Sequence, residues 1–114
     1  MTVSAQATVL VLEHHGGLRS LARRVLAGQA YHALEAATAA EALDALMSAG
    51  TVDLVICDVD TPHLHARTLA AEMQAAKPGL NVLFTSARSD LELLRHGFDI
   101  GVDPFLKRLS TVVS

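Results

Sequence analysis

Short apolar runs separated by stretches of helical spacing constrain this chain more than any other feature. Thr8 to Leu12, Val52 to Cys57, Leu80 to Phe84 and a weaker run from Val102 to Leu106 are β-branched or leucine-rich and barely alternate. Strands covered on both faces read this way, because neither side meets water. A fifth run, Tyr31 to Ala36, alternates better and predicts an edge strand. The intervening segments carry helical patterns. Leu18, Leu21, Ala22, Val25 and Leu26 form an apolar stripe with Arg19, Arg23 and Arg24 mostly off it, and Gly28 is the expected stop. Thr38-Ala39-Ala40-Glu41 reads as a capping box ahead of Ala42 to Met47. Leu64 to Ala76 has helical composition and closes at Lys77-Pro78-Gly79. Ser89 or Asp90 can cap a shorter helix through Arg95.

The order is therefore βαβαβαβαβ, which implies a parallel sheet with helices on both faces. Right-handed crossovers prune the possibilities to a flavodoxin-like doubly wound fold, five parallel strands in the order 2-1-3-4-5. Its 114 residues suit one domain, and we read 1–114 as that domain because no linker, repeat or low-complexity stretch divides it. At 51% hydrophobic it can bury a core without staples. A net charge of −3, with no stripe of Lys or Arg, argues against a nucleic-acid surface. The single cysteine, Cys57, sits in an apolar run and fits a packed thiol in a reducing compartment. No apolar run approaches the ~20 residues of a membrane span. The N-terminus lacks the features of a signal peptide, so a cytoplasmic location is expected.

In doubly wound folds ligands sit beyond the carboxyl ends of the strands. That rule selects the loops Glu13 to Gly17, Asp58 to His65 and Thr85 to Asp90. Asp58 ends the most apolar strand. Such an acid is either a helix cap or solvated strand end, or a nucleophilic or metal-binding carboxylate. Glu13 ends the neighbouring first strand, and two acids there repel unless a cation lies between them. Mg²⁺ prefers such sites. Thr85, with Ser86 after it, offers a hydroxyl to a phosphoryl oxygen, and Lys107 follows the last strand with an ammonium for the same anion. Together these are the parts of a phosphoryl-transfer site. Gly16-Gly17 lacks the spacing of a phosphate cradle and reads as a freed loop.

The chain resembles the receiver domains of bacterial two-component response regulators. The resemblance rests on Thr8-Val9-Leu10-Val11-Leu12-Glu13, Asp53-Leu54-Val55-Ile56-Cys57-Asp58 with Thr61-Pro62, Val82-Leu83-Phe84-Thr85-Ser86 and Phe105-Leu106-Lys107. It implies a phospho-accepting Asp58, a switch hydroxyl on Thr85 and a phosphoryl-contacting Lys107. Glu13 and His14 then occupy the family's metal-binding acid pair. The implied cofactor is Mg²⁺, and the implied partner is a histidine kinase or phosphotransfer protein.

Three departures from the family pattern matter. Histidine at 14 is a poor partner for Mg²⁺, which wants hard oxygen ligands, so Mg²⁺ binding should be weakened or lost. Asp60 is a candidate to compensate. Arg108 replaces the proline that follows the family's lysine, and a non-proline cis bond there costs about 3 kcal/mol. Arg108 itself can substitute for Lys107 if the register slips by one. Only residues 108–114 follow Lys107, too few for the family's last helix. One sheet face is then left with the first helix alone, and the exposed apolar surface predicts a homodimer or a piece of a longer protein.

His14, His15, His63 and His65 are expected to gather at one sheet edge, where imidazoles with Glu13, Asp58 and Asp60 make a transition-metal site conceivable. Their spacing matches no dedicated motif. The leading expectation is a signalling module without enzymatic activity of its own. Its alternative is a docking or dimerisation module that no longer uses phosphate. A third reading notes that Asp58-Val59-Asp60-Thr61 faintly resembles the nucleophile motif of haloacid-dehalogenase-type phosphatases. That motif normally follows the first strand and wants threonine where Pro62 stands.

Overall fold

The structure is a computed structural model that describes residues 6–95, 97, 98 and 105–107, with residues 90 and 105–107 placed through their backbone. Nine elements alternate: β1 (Thr8–Leu12), α1 (Gly16–Gly28), β2 (His32–Ala36), α2 (Ala39–Ser48), β3 (Leu54–Asp58), α3 (Ala66–Ala76), β4 (Asn81–Ser86), α4 (Asp90–Arg95) and β5 (Phe105–Lys107). The strands form one parallel sheet in the order β2-β1-β3-β4-β5, the doubly wound arrangement expected from the sequence. The alternating run is β2, an edge strand as its pattern predicts. His96, Arg108, residues 102–104 of the expected fifth strand and the stretch relevant to a last helix lie outside the described residues.

Local chemistry explains where the elements begin and end. Thr38 Oγ1 accepts from Glu41 N at 3.2 Å, while Glu41 Oε1 accepts from Ala37 N at 2.9 Å. The expected capping box therefore forms, with its return bond one residue before the cap. Ser89, not Asp90, caps α4, since Glu92 N donates to Ser89 Oγ and Glu92 Oε1 accepts from Ser89 N and Oγ. Gly16 and Gly17 open α1 rather than forming a loop. His15 caps them, its Nδ1 accepting from Leu18 N at 3.2 Å. A Cβ on Gly17 would stand 3.2 Å from the His15 ring, so the glycine makes room for the capping imidazole. α1 ends at Gly28, the expected stop. Gly28 remains helical, and Ala30 takes the left-handed conformation at φ 67°. Ala30 N donates to Ala27 O and Tyr31 N to Leu26 O, the pair of bonds that closes a Schellman turn. α3 starts at Ala66, two residues after its composition suggests, because the N-cap His65 has non-helical backbone at φ −101° and ψ 83°.

The main core lies on one face of the sheet. Leu10, Leu12, Val55, Cys57, Val82 and Phe84 pack there against Ala42 and Leu46 of α2 and Leu69, Ala70 and Met73 of α3. Phe98 closes one end, its ring edge-on to Phe84 with centroids 5.2 Å apart. Among the described residues the opposite face is thinly covered. α1 has no buried residue, and Leu18, Leu21 and Val25 are 44%, 49% and 57% exposed. They line an apolar groove of about 380 Å³ with Val11 and Ile56.

Candidate functional site

Strand pairing assembles the site. Leu12 pairs with Cys57, so the next residues, Glu13 and Asp58, follow in step, and Asp58 itself pairs with Thr85. Side chains alternate along strands, and residues in register share a face. Glu13, Asp58 and Thr85 accordingly form a row on the α1 side and line the upper end of the same groove. The fourth expected position lies one step on. Leu106 pairs with Thr85, and the backbone of Lys107 stands opposite Ser86.

Two buried carboxylates face each other here. Asp58 is 1% exposed and Glu13 7%. Asp58 Oδ1 accepts from Asp60 N at 3.0 Å, and Oδ2 accepts from the Thr61 hydroxyl at 3.5 Å. Glu13 Oε2 accepts from His15 N at 3.2 Å. Arg19 of α1 holds the segment from behind. Its Nη1 donates to the carbonyls of Glu13 and His14 at 2.9 and 3.4 Å, and its Nε pairs with Glu35 Oε1 at 3.2 Å. Into the space between the acids comes His14, whose Nδ1 is 3.4 Å from Glu13 Oε2 and 3.9 Å from Asp58 Oδ2. Its side chain is 45% exposed, so the pair communicates with solvent through an imidazole.

Asp60 does not join them. Its carboxylate accepts from Ser86 Oγ at 3.0 and 3.2 Å and from Ala87 N at 3.1 Å, and pairs with Arg88 Nε at 3.0 Å. It is a clamp between the loops after β3 and β4, and Ser86 and Arg88 are the partners that sequence reasoning missed. They are 26 and 28 positions away, and only the juxtaposition of two strand ends reveals them. The histidines also divide. His14 meets the acids and His15 caps α1, while His63 and His65 line a separate cleft of about 470 Å³ beside Arg67 and Arg88. Arg67 there donates to Gly97 O and lies over the Phe98 ring at 6.0 Å.

One oxygen from Glu13, one from Asp58 and Nδ1 of His14 all lie within 4.8 Å of one another, so these three side chains can hold a divalent ion. A dication held between two buried anions would offset their mutual repulsion. The donor set suits Mg²⁺ poorly. Mg²⁺ takes oxygen ligands in octahedral geometry, and this set has two carboxylates, one nitrogen donor and no help from the Asp60 side chain. The neighbouring Cys57 is a spectator. Burial, and then the charge of Asp58, push its thiol from an ordinary 9.0 up to about 12.

This fold and this row of strand-end groups define a class, and comparison with known proteins agrees. Residues 9–111 match the response regulator receiver domain. The chain belongs to that family, one of signalling modules rather than enzymes. It is 32% identical over 118 residues to the sensor kinase CckA of Brucella abortus, covering 97% of this chain and 12% of that protein. The chain thus spans about an eighth of that relative. The crystal structure of a receiver domain from the hybrid histidine kinase CckA superposes with a TM-score of 0.70 at 32% identity, covering 92% of this chain and 88% of that one. The response regulator TrrA of Thermotoga maritima, solved in complex with Mg²⁺ and BeF, shares the fold at a TM-score of 0.74 and 23% identity, over 93% and 90% of the two chains. The phosphatase resemblance is displaced by this membership, since Asp58 ends the third strand and its second acid, Asp60, is committed to Ser86 and Arg88. Among the described residues no helix is long and apolar enough to cross a membrane.

Proposed function

We propose that this chain is a phosphorelay receiver in which Asp58 accepts a phosphoryl group from a phosphohistidine on a histidine kinase or phosphotransfer protein. The observation that carries the reading is the buried Asp58 carboxylate at the end of the central strand, in one row with Glu13 and Thr85. In the transfer an Asp58 oxygen attacks phosphorus, the P–N bond breaks, and the leaving imidazole nitrogen takes up a proton. An acyl phosphate remains on Asp58. Backbone N–H of Asp60 and the Thr61 hydroxyl steady the carboxylate before attack. The Thr85 hydroxyl is the donor assigned to a phosphoryl oxygen, and Lys107 is the cation assigned to the same anion. The likeness to CckA, a sensor kinase, supports a histidine-kinase phosphorelay as the setting. The response regulator TrrA, which shares the fold, was solved with Mg²⁺ and BeF, and this supports a phosphoryl-like group as a ligand for such a fold.

Intact mass measured after exposure to a small phosphodonor tests this. The wild-type chain gains the mass of one phosphoryl group, and Asp58→Asn gains none. A wild-type chain that stays unmodified with Mg²⁺, Mn²⁺ and Zn²⁺ in turn contradicts the reading. It would favour a docking module that works without phosphate.

A further inference from the structure

The mismatch between the strand-end donors and the ion usual for such a pocket carries an inference about metal identity. It rests on the reading that this row of strand-end groups is the working site. We propose that the Glu13–His14–Asp58 cluster takes a first-row transition dication of the Zn²⁺ or Co²⁺ type in preference to Mg²⁺.

Three observations converge. First, the nitrogen. Imidazole is a preferred ligand of Zn²⁺ and its first-row neighbours, whereas Mg²⁺ dehydrates reluctantly and selects oxygen. Second, the spacing. Bonds of roughly 2.0–2.1 Å to Zn²⁺ set two donors about 3.4 Å apart along a tetrahedral edge. His14 Nδ1 and Glu13 Oε2 stand 3.4 Å apart, and His14 Nδ1 and Asp58 Oδ2 stand 3.9 Å apart. Small rotations of an exposed imidazole close the second gap. Third, the number of donors. The Asp60 carboxylate, the one further acid expected to add oxygen, is held by Ser86, Ala87 and Arg88. Among the described side chains three donors remain, the number found where Zn²⁺ keeps a fourth position for water or a substrate oxygen.

The segment is also braced for the task. Arg19 fixes the carbonyls of both Glu13 and His14, and His15 anchors the start of α1 immediately after them. Support of this kind orients ligands and raises affinity. Losing even an outer partner costs roughly 10–100-fold in binding, so losing a direct donor should cost at least as much.

The test uses the full chain stripped of metal by a chelator. Titration with CoCl₂ should produce the visible absorption of a four-coordinate nitrogen–oxygen site, and calorimetry should rank Zn²⁺ and Co²⁺ above Mg²⁺. In His14→Asp the cobalt band should vanish, Zn²⁺ and Co²⁺ affinity should fall by roughly tenfold or more, and Mg²⁺ affinity should rise. His14→Asn, with circular dichroism confirming the fold, separates loss of the donor from loss of structure. Three results overturn the proposal. Mg²⁺ binds wild type as tightly as His14→Asp. The cobalt band survives in His14→Asp, so other groups hold the ion. No ion binds wild type. Phosphoryl incorporation is read separately by mass. A chain that binds Co²⁺ through His14 yet gains no phosphoryl group keeps this proposal and loses the acceptor reading. A chain phosphorylated without any preference for Zn²⁺ or Co²⁺ does the opposite.

Discussion

Asp58 and Cys57 are adjacent on one strand and point to opposite faces, and their chemistry differs accordingly. Asp58 meets donors at the end of the groove, whereas Cys57 is fully buried among Val55, Phe84 and other apolar side chains. Burial and the nearby negative charge favour the neutral thiol. The sign of the pH effect follows. An unfolded thiol ionises near 9.0, the folded one only near 12. Between these values the folded chain binds the extra proton, so the contribution of Cys57 to stability is whole below pH 9 and is lost as pH rises towards 12. Denaturation midpoints should therefore fall above pH 9, and less so in Cys57→Ala. At neutral pH the thiol should resist alkylation until denaturant is added. Rapid labelling of the native chain would show that the thiol is neither buried nor neutral.

At the scale of elements, helix ends hold the instructive departures. Strands β1, β3 and β4 are legible because both of their faces are largely apolar, which leaves a continuous apolar run. The bounds of β1 match the apolar run, while those of β3 and β4 shift by one or two residues where pairing, not hydrophobicity, decides. Val52 is buried but precedes the β3 ladder, which opens where Asp53 N donates to Thr8 O and Asp53 Oδ2 accepts from Thr8 N. The α1 caps were less legible than its stop at Gly28 because unusual residues do the usual work, with His15 as the N-cap and Ala30 in the left-handed position. That second choice makes a prediction. A non-glycine residue in this conformation costs roughly 1–2 kcal/mol, partly offset by its smaller loss of chain entropy. Ala30→Gly should stabilise the chain by about 0.5–1 kcal/mol in denaturant unfolding. A clear loss of stability would mean that the Schellman turn is not populated. The site was legible for the same reason as the strands. Period-two alternation puts 13, 58 and 85 on one face, but it says nothing of a side chain's reach across loops. Asp60 therefore looked like a metal ligand and is instead the clamp to Ser86 and Arg88.

For the whole molecule, the asymmetry of the sheet is the dominant feature. One face is packed by α2 and α3, while the other presents the α1 groove with its exposed Leu18, Leu21 and Val25. An apolar surface of this kind seeks cover, and a second copy of this chain is one of the two occupants that the sequence reading offers, the other being a further part of a longer protein. Sedimentation across the micromolar range should show mass rising with concentration. Val25→Glu should lower that association and also reduce the fluorescence of a bound apolar dye, with little change in stability because Val25 is 57% exposed. A monomer at every concentration, with dye binding unaffected by Val25→Glu, would leave the groove without a role in self-association.

The account stands on Asp58 as the acceptor, and the modified residue can be located directly. After exposure to a phosphodonor, borohydride reduction converts an aspartyl phosphate to homoserine, which peptide sequencing places on the chain. Homoserine at position 58 alone is the predicted result. Homoserine at Asp53 or Asp60, or at no position with any of the three metals, would contradict it.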